Sequence, residues 1–578
     1  MTRPHTLPQK LRTLTLVTAS ISLLAGCASL PSSSEPQALR SIKATTATQE
    51  AGMIKDREPD LLVRDFYAAS ANPTQQRKQA RSYLTPELAQ QWAPAPEIIV
   101  LDRIDMSSNV VTEADRLSYT VSGTVVGTIT EGGAFNPRRE QYKTSVSLNK
   151  IDGQWRISSL PNQLVVERTE LRNRYLPQDV YFFEPGGNTL VSDRRWIYNG
   201  LSALDSALIS LIVEGPSAVI APGVLDEIPE AATFAGVDNG VYQLRGLSGL
   251  DDAAQRRLAA QLVWTLALAD IAGPYRFNID DTPLLSDDGN EELSVDDFPE
   301  FNPQASASST NTMFALTNGR VSKIASGQVT PVPGPLGAEG NIESVDISAP
   351  TKIAAAVKTQ GEKEEKKSQF LVGTINGPLS TILEASTFSR PTFEANTNAV
   401  WTVVDGRTIT RIARSASTGD IAQTEVDTTE LGENHGDISV LRLSSTGVRA
   451  AFIVDGRVYT ATVSRPTAGE RKLSNVREII PVVGDSAITL EWGGDTTLLV
   501  GTASSDTPVW RAEVDGSSAI ALSSGNIVAP VVSISTNAST VFITDARAAL
   551  QLGTTGQATY WREVQGLEGE RSVTIVPR

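Results

Sequence analysis

Cysteine and histidine are almost missing from this chain. Its 578 residues include one cysteine, Cys27, and two histidines. A single cysteine cannot close an intramolecular disulfide, so the fold must be held together by packing alone. Only one histidine, His435, lies beyond the first few residues, in a polar turn where we expect a solvated loop side chain. This scarcity argues against a Ser-His-Asp triad and against a zinc site with several histidine ligands.

Positive charge is also in short supply. The chain carries 50 Lys and Arg residues against 66 Asp and Glu residues, for a formal net charge of -16. This balance argues against a nucleic-acid partner and against adhesion to anionic lipid through a basic patch. The sequence also contains no glycine-rich phosphate loop, no zinc-ligand spacing and no nucleophile elbow. We therefore expect no cofactor and no metal.

The first 27 residues have the layout of a secretory signal. Three basic residues precede an apolar run over residues 14–24, which is too short to span a bilayer. The Leu-Ala-Gly-Cys sequence that ends at Cys27 resembles the bacterial lipobox. This resemblance implies that residues 1–26 are a signal peptide cut between Gly26 and Cys27, and that the Cys27 sulfur carries a diacylglycerol. Two long acyl chains make an anchor that leaves the membrane slowly. The alternative is an ordinary secretory signal with a cysteine near its cleavage point by chance.

The segment after the anchor changes from a tether to a folded domain. Residues 27–55 are rich in Ser, Thr, Ala, Pro and Gln and predict a flexible tether. At about 5–6 Å × √n, it holds the next domain within roughly 25–30 Å of the membrane. Residues 56–170 show helical spacing first and strand runs afterwards, with an Asp-Gly turn at Asp152. This α+β order is similar to nuclear-transport-factor-2-like cups. We expect a structural or docking module here rather than an enzyme.

Residues 176–286 predict a second α/β unit. A strand is followed by an amphipathic helix that stops at Gly215-Pro216, a hairpin, a longer helix and a last strand. The segment around residues 208–217, together with this order of elements, resembles the GerMN domain of spore germination proteins. Residues 287–305 are rich in Asp and Glu but lack the alternating pattern of a calcium loop. We interpret them as a solvated acidic linker.

The last part of the chain, residues 306–578, is a β repeat. A small polar turn followed by an apolar run appears six times at intervals of 40 to 49 residues. Small sheets of this period bury both faces by packing around an axis, which predicts a β-propeller of six or seven blades. A β-sandwich is the main alternative, but it does not require the period. We expect residues 572–576 to close the ring, and residues 362–367 to form an exposed hairpin loop. Second tight turns are predicted at Asn318-Gly319, Asp405-Gly406 and Asp455-Gly456.

A carbohydrate-active propeller needs only two carboxylates, and acidic side chains near blade turns are able to supply them. Glu491, Asp495 and Asp506 are the candidates, although a solvated role is the simpler interpretation for loop carboxylates. Trp401, Trp492 and Trp510 are candidates for a sugar-binding surface, but core packing between blades is the simpler explanation.

The lipobox, the GerMN-like segment and the β repeats, in this order, resemble the LpqB family of actinobacterial lipoproteins. The resemblance covers essentially the whole mature chain. It implies a non-enzymatic protein anchored through Cys27 to the extracytoplasmic face of the cell membrane. It further implies an accessory role in the Mtr two-component system, with the ectodomain of the sensor histidine kinase as partner. The alternatives are a propeller that binds or hydrolyses cell-envelope glycans or peptides, and an envelope scaffold without a signalling role.

Overall fold

The computed structural model describes residues 54–109, 115–305, 312–361, 367–395, 397–415, 418–433, 435–554 and 560–578. The predicted signal, Cys27, nearly all of the predicted tether and most of the predicted 362–367 loop lie outside these residues. From Lys55 to Arg578 the chain forms one compact unit, in which three successive groups of elements can be distinguished.

The first module is a mixed sheet covered by helices, as the order of its sequence signals predicts. Its strands run in the order β5-β4-β3-β1-β6, with β2 against β3, and only the β1–β6 pair is parallel. The turn at Asp152-Gly153 has positive φ at both residues, which is the hairpin geometry expected from Asp-Gly. The elements are α1 Pro59–Ser70, α2 Lys78–Arg81, α3 Pro86–Gln91, β1 Ile98–Leu101, β2 Asp105–Asn109, β3 Arg116–Ile129, β4 Phe135–Ile151, β5 Gln154–Ser159 and β6 Leu164–Glu167.

Helix α1 shows why this module folds as it does. Pro59 occupies its first turn, where a missing N–H costs nothing. Leu62 and Phe66 lie one helical turn apart and are 1% and 2% exposed, so the same face of the helix is buried along its length. The ring of Phe66 packs against that of Trp92 with centroids 5.5 Å apart. The helix therefore covers the sheet through the stripe that its spacing predicts.

The second module has a two-stranded sheet, β7-β8, and a four-stranded sheet of order β12-β11-β10-β9. Helix α5 ends at Glu214, and the next residue, Gly215, has a φ of 93°, so the predicted break falls where glycine is required. Helix α6 is buried along most of its length. The elements are α4 Arg168–Arg174, β7 Tyr175–Phe183, β8 Leu190–Tyr198, α5 Leu204–Glu214, β9 Thr233–Asp238, β10 Val241–Arg245, α6 Asp252–Leu268, β11 Phe277–Ile279 and β12 Thr282–Pro283.

Residues 287–305 are not the solvated linker that we predicted. Leu293 and Phe298 are 0% and 1% exposed and belong to the core of the second module. Trp264 Nε1 on α6 donates a hydrogen bond to the Phe298 carbonyl at 3.0 Å. The acidic side chains lie outside this core, and Arg256 pairs with both Asp287 and Glu300. The segment extends the module because its isolated apolar residues are buried between its exposed carboxylates.

The third module is a β-propeller, which confirms the predicted fold class. The described residues contain six four-stranded antiparallel sheets in this region, here called blades 1 to 6. Their innermost strands contact one another in sequence and close a ring.

Blade 1 contains β13 Met313–Thr317, β14 Arg320–Ala325, β15 Gln328–Pro331 and β36 Val573–Ile575, and a short helix α7 Pro335–Ala338 follows β15. Blade 2 contains β16 Ile342–Ile347, β17 Ile353–Gln360, β18 Lys367–Thr374 and β19 Leu379–Ala385. Blade 3 contains β20 Thr392–Phe393, β21 Val400–Val404, β22 Thr408–Arg414 and β23 Ile421–Glu425. Blade 4 contains β24 Ile438–Leu443, β25 Arg449–Val454, β26 Arg457–Ser464 and β27 Lys472–Glu478. Blade 5 contains β28 Ala487–Trp492, β29 Thr497–Thr502, β30 Val509–Glu513 and β31 Ala519–Ala521. Blade 6 contains β32 Ser533–Thr536, β33 Thr540–Thr544, β34 Ala549–Gly553 and β35 Arg562–Glu563.

The ring closes through the strand that the sequence predicts. Strand β36 pairs antiparallel with β13, with Phe314 opposite Ile575 and Leu316 opposite Val573. Blade 1 is therefore built from both ends of the repeat region, which ties its first strand to its last. The turn residues Asn318-Gly319, Asp405-Gly406 and Asp455-Gly456 all have positive φ, as predicted from Asn-Gly and Asp-Gly.

Candidate functional site

The innermost strands of the propeller each place a buried polar side chain near the ring axis. A polar side chain that is buried at this position needs partners from neighbouring strands or blades. All six residues are at most 2% exposed. They are Asp346 on β16, Thr392 on β20, Arg442 on β24, Glu491 on β28, Ser535 on β32 and Thr574 on β36.

Arg442 is the centre of this arrangement. Its Nη2 lies 3.0 Å from Glu491 Oε2, and its Nη1 lies 3.5 Å from Asp346 Oδ2. The same Nη1 donates to the Pro391 carbonyl at 2.6 Å. Arg442 therefore links strands of blades 2, 4 and 5 and the segment just before β20, with its own side chain 1% exposed.

Two further arginines complete what we call the axial cluster: Asp346, Arg390, Arg442, Glu491 and Arg578. Arg578 Nη2 donates to Glu491 Oε1, and its Nη1 donates to the Leu443 carbonyl at 3.3 Å. Arg390 lies farther from the carboxylates, with Nη2 3.7 Å from Asp346 Oδ1 and Nη1 3.9 Å from Glu491 Oε2. Among the described residues, Arg390 Nε and Asp346 Oδ1 are buried without any hydrogen-bond partner. The cluster is therefore tightly paired at Arg442 and loosely paired at Arg390.

The electrostatics of the cluster follow from this geometry. Burial raises the pKa of Glu491, but the charges of Arg442 and Arg578 outweigh it and lower that pKa to about 2. Burial and the neighbouring charge of Arg442 lower the pKa of Arg390 to about 10. Both groups remain ionised at neutral pH. Among the arginines of the axial cluster, Arg390 is the one whose positive charge the surroundings stabilise least.

A cavity of about 170 Å³ adjoins the cluster along the axis. Arg390 and Arg442 line it, together with apolar side chains of the inner strands such as Val345, Val440 and Leu490. The Arg390 side chain keeps 18% of its surface exposed. The cavity therefore combines an apolar wall with two guanidinium groups.

The carboxylates singled out from the sequence do not form one site. Glu491 is in the axial cluster and is ion-paired. Asp495 lies at the contact with the second module, where it pairs with Arg449 at 3.0 Å. Asp506 is exposed on the turn that precedes β30. A glycosidase acid requires a raised pKa, whereas that of Glu491 is lowered.

The three tryptophans pack between or beside blades. Trp401 and Trp492 are 0% and 3% exposed and lie in separate hydrophobic clusters. Trp510 packs partly buried against the same cluster as Trp492. His435 lies in a loop, where its Nδ1 is 2.8 Å from the Gly436 carbonyl. The tryptophans therefore serve the core rather than a sugar-binding surface.

A second buried polar group joins the modules and is called here the interface cluster. Asp193 Oδ2 accepts hydrogen bonds from Arg195 Nη2 at 2.6 Å and from the Ser217 amide at 2.7 Å, and Asp193 Oδ1 accepts from Ser217 Oγ at 2.8 Å. Arg195 Nη1 also donates to the Gly132 carbonyl of the first module at 2.8 Å. The cluster consists of Ser192, Asp193, Arg195, Ser217, Arg449 and Asp495.

The interface cluster continues into the propeller. Asp495 Oδ2 accepts from the Ser192 amide at 3.2 Å and from Ser192 Oγ at 3.0 Å, and Arg449 donates to the Ser192 carbonyl. Close by, Asn475 Nδ2 donates to the Val219 carbonyl at 2.8 Å. Val448 of the propeller is buried in the core of the second module. The predicted helix stop at Gly215-Pro216-Ser217 thus also supplies the seam between the modules.

Sequence reasoning missed Asp346, Arg390, Arg442 and Arg578. A usable signal was present, because Asp346 and Arg442 each interrupt an apolar strand, in Val-Asp-Ile and Leu-Arg-Leu. A charged residue buried in such a strand needs an opposite charge close by. The pattern predicts buried charges near the axis, but it does not say which ones meet.

Comparisons with known proteins bear on identity. Three family models match: "Lipoprotein LpqB, N-terminal domain" over residues 52–172, "Sporulation and spore germination" over 179–285, and "Lipoprotein LpqB beta-propeller domain" over 319–577. Lipoprotein LpqB of Corynebacterium diphtheriae is 49% identical over 96% of this chain and 96% of its own.

The chain belongs to the LpqB lipoprotein family.

Other LpqB proteins support the assignment. Lipoprotein LpqB of Rhodococcus jostii is 36% identical over 97% of both chains. Among solved structures, one chain of a nidogen–laminin complex is similar with a TM-score of 0.35 and 7% identity, covering 46% of this chain and 97% of that one. The family name implies a membrane-anchored lipoprotein, as the lipobox predicts. Gly26 and Cys27 lie outside the described residues, so lipidation remains a prediction.

The part of the chain that the structure describes offers neither a membrane-spanning helix nor a metal site. No helix there is long and apolar enough to cross a membrane. No group of three or more His, Cys, Asp or Glu side chains within the described part of the chain is arranged to hold a metal ion.

Proposed function

We propose that this chain is an extracytoplasmic accessory protein of an Mtr-type two-component system, held on the cell membrane by lipid at Cys27. Its partner is the ectodomain of the sensor histidine kinase, and its effect is to adjust sensor signalling and thereby cell-envelope homeostasis. The proposed role is non-enzymatic. It is supported by the lipobox, by family membership and by the way the three modules are joined.

The single observation that carries the proposal is the joining of the modules by buried polar contacts. Arg195 connects the second module to the first through the Gly132 carbonyl, and Arg449 connects the propeller to the second module through Ser192. Buried polar groups of this kind are costly to separate, because each loses a partner inside the protein. A contact made by one module is therefore transmitted to the whole body of the protein.

Membrane anchoring supplies the second half of the argument. Two proteins confined to the same membrane meet at a high effective concentration, so a weak contact suffices to regulate. The predicted tether of residues 27–55 restricts how far the body can move from the bilayer. We propose that the modules nearest the anchor, over residues 56–170 and 176–286, contact the sensor.

The non-enzymatic part of the proposal has its own support. The three candidate carboxylates lie in three different surroundings, and Glu491, the buried one, is held ionised by arginines. A retaining or inverting glycosidase needs two facing carboxylates, one of them able to give up a proton near neutral pH. This favours a binding role for the axial cavity over hydrolysis.

Removing the lipid attachment site tests the proposal in cells. With Cys27→Ala, we expect the full chain to leave the membrane fraction and the output of the sensor kinase to fall to the level of a deletion strain. Ala28→Ser is the matched control, because it alters the neighbouring position and keeps the cysteine. Membrane retention of Cys27→Ala would contradict the anchor. Release from the membrane with unchanged sensor output would contradict the accessory role.

A further inference from the structure

The axial cluster contains more positive than negative charge. The side chains of Arg390, Arg442 and Arg578 face those of Asp346 and Glu491, which leaves one positive side-chain charge in excess; Arg390 and Arg578 are 18% and 26% exposed, and the other three side chains are at most 2% exposed. An uncompensated buried charge is costly unless a counter-ion reaches it. The excess is located at Arg390, because Glu491 already binds Arg442 and Arg578 at hydrogen-bond distance.

Arg390 is also the group with spare hydrogen-bonding capacity. Its contacts with the two carboxylates are 3.7 and 3.9 Å long, beyond hydrogen-bond distance. Its Nε is buried without a partner among the described residues, as is Oδ1 of Asp346, a residue only 1% exposed. Native structures rarely leave a buried donor such as Arg390 Nε unpaired, so Arg390 is the side chain of this cluster with capacity for an anion.

The cavity beside Arg390 has the size and lining of a ligand site. Its volume of about 170 Å³ is similar to that of a cavity known to hold one benzene molecule, roughly 150 Å³. Val345, Val440, Leu490 and Ile575 contribute apolar wall, and Thr489 and Ser533 contribute hydroxyl groups. Glu343, also in the lining, is exposed and accepts a hydrogen bond from Thr359 Oγ1 at 2.6 Å, outside the axial cluster.

We propose that this axial cavity is a binding site for a small monocarboxylate with an apolar body. The carboxylate of the ligand pairs with Arg390, and its apolar body packs against the valine and leucine side chains that line the cavity. A guanidinium group matches a carboxylate in shape and charge, and the pair would be shielded from water. The site holds one such molecule and goes beyond the proposed role at the sensor, since it is a ligand site in the propeller itself.

Calorimetry with benzoate as probe tests the site. The protein is the mature chain with Cys27→Ala, which avoids detergent and keeps every described residue. We expect one benzoate per chain. Benzyl alcohol, which has nearly the same shape without the charge, should bind at least about tenfold more weakly, as expected for loss of a charge-assisted hydrogen bond. Inorganic phosphate, an anion without an apolar body, should also bind more weakly.

Variants locate the binding. Arg390→Gln should weaken benzoate binding by about tenfold or more, and Arg457→Gln, at a propeller arginine that is 56% exposed, should leave it unchanged. Val440→Phe keeps all the arginines but fills the cavity, so it should abolish binding even if Arg390→Gln proves unstable. The proposal is overturned if benzoate does not bind, if benzyl alcohol or phosphate binds equally well, or if Val440→Phe still binds benzoate.

Discussion

The interface cluster and the axial cluster are both buried and polar, and they are built differently. In the interface cluster, Asp193 accepts from Arg195 and from both the amide and the hydroxyl of Ser217. No side-chain atom of that cluster appears among the buried groups that lack a partner in the described residues. In the axial cluster, Arg390 Nε and Asp346 Oδ1 lack partners and a cavity lies alongside.

This difference indicates that the interface cluster joins the modules and that the axial cluster is a ligand site. A cluster whose buried polar atoms are paired offers no unpaired buried atom to a ligand. Separating the modules would leave several of its charged groups without partners, so the cluster holds the modules together. A loosely paired arginine that lines a cavity, as Arg390 does, gains stability when an anionic ligand binds beside it. We therefore assign the joining of modules to the first cluster and ligand binding to the second.

The largest effect is expected at the centre of the axial cluster. Arg442→Leu leaves Asp346 and Glu491 buried with less positive charge, and we expect the free energy of unfolding to fall by about 3–5 kcal/mol. Urea denaturation measures this loss. Arg457→Leu is the control, because its exposed ion pair should contribute within about 0.5 kcal/mol. Equal stability of the two variants would mean that the axial pairing does not support the ring.

Acid should act through the same cluster. The pKa of Glu491 is lowered to about 2 in the folded protein from an ordinary 4.5. The stabilisation that this gives is present above about pH 4.5 and is lost as the pH falls towards about 2, for a total of about 3 kcal/mol. The difference in unfolding free energy between wild type and Glu491→Gln should therefore shrink as the pH is lowered across this window. A difference that does not change with pH would contradict the assignment.

At the interface cluster we expect a smaller, local effect. Asp495→Asn removes the charge that accepts from Ser192 and pairs with Arg449, at a cost of about 2 kcal/mol. The amide proton of Ser192, which donates to Asp495, should exchange faster with solvent, while strand β33 of blade 6 stays protected. The control is Asp437→Asn, whose carboxylate is 70% exposed. Unchanged exchange at Ser192 would mean that the seam does not depend on this contact.

The smallest predicted effect concerns one hydroxyl group. Ser217→Ala removes the hydrogen bond from Ser217 Oγ to Asp193 but keeps the backbone amide that also contacts Asp193. We expect a loss of about 1 kcal/mol in thermal or urea unfolding. Ser82→Ala, at an exposed serine, should change stability much less. If the two substitutions cost the same, the interface cluster is not tightly paired.

Local patterns predicted the elements of the fold. The alternation of apolar residues indicated the strands, and the 40–49-residue recurrence indicated the blades. Asp-Gly and Asn-Gly pairs marked turns because few other pairs tolerate two successive positive φ angles. The closing strand at Val573–Ile575 followed from the need to complete blade 1.

The candidate site did not follow in the same way. Its charges at residues 346, 390, 442, 491 and 578 are far apart in sequence and meet only because the ring brings the inner strands to one axis. Asp495 meets Ser192 across 303 positions. Leu293 and Phe298 lie among acidic residues, so the local composition predicted an exposed segment although both side chains are buried. Contacts of this kind depend on how modules and blades pack, which no local pattern encodes.

Photo-crosslinking in intact cells tests the proposed role most directly. A crosslinking residue is placed at one exposed position in each module: Arg103 in the first, Arg245 in the second and Arg547 in the propeller, with side chains 73%, 57% and 63% exposed. We predict capture of the sensor kinase from Arg103 or Arg245 and none from Arg547. Capture from Arg547 alone would contradict the account.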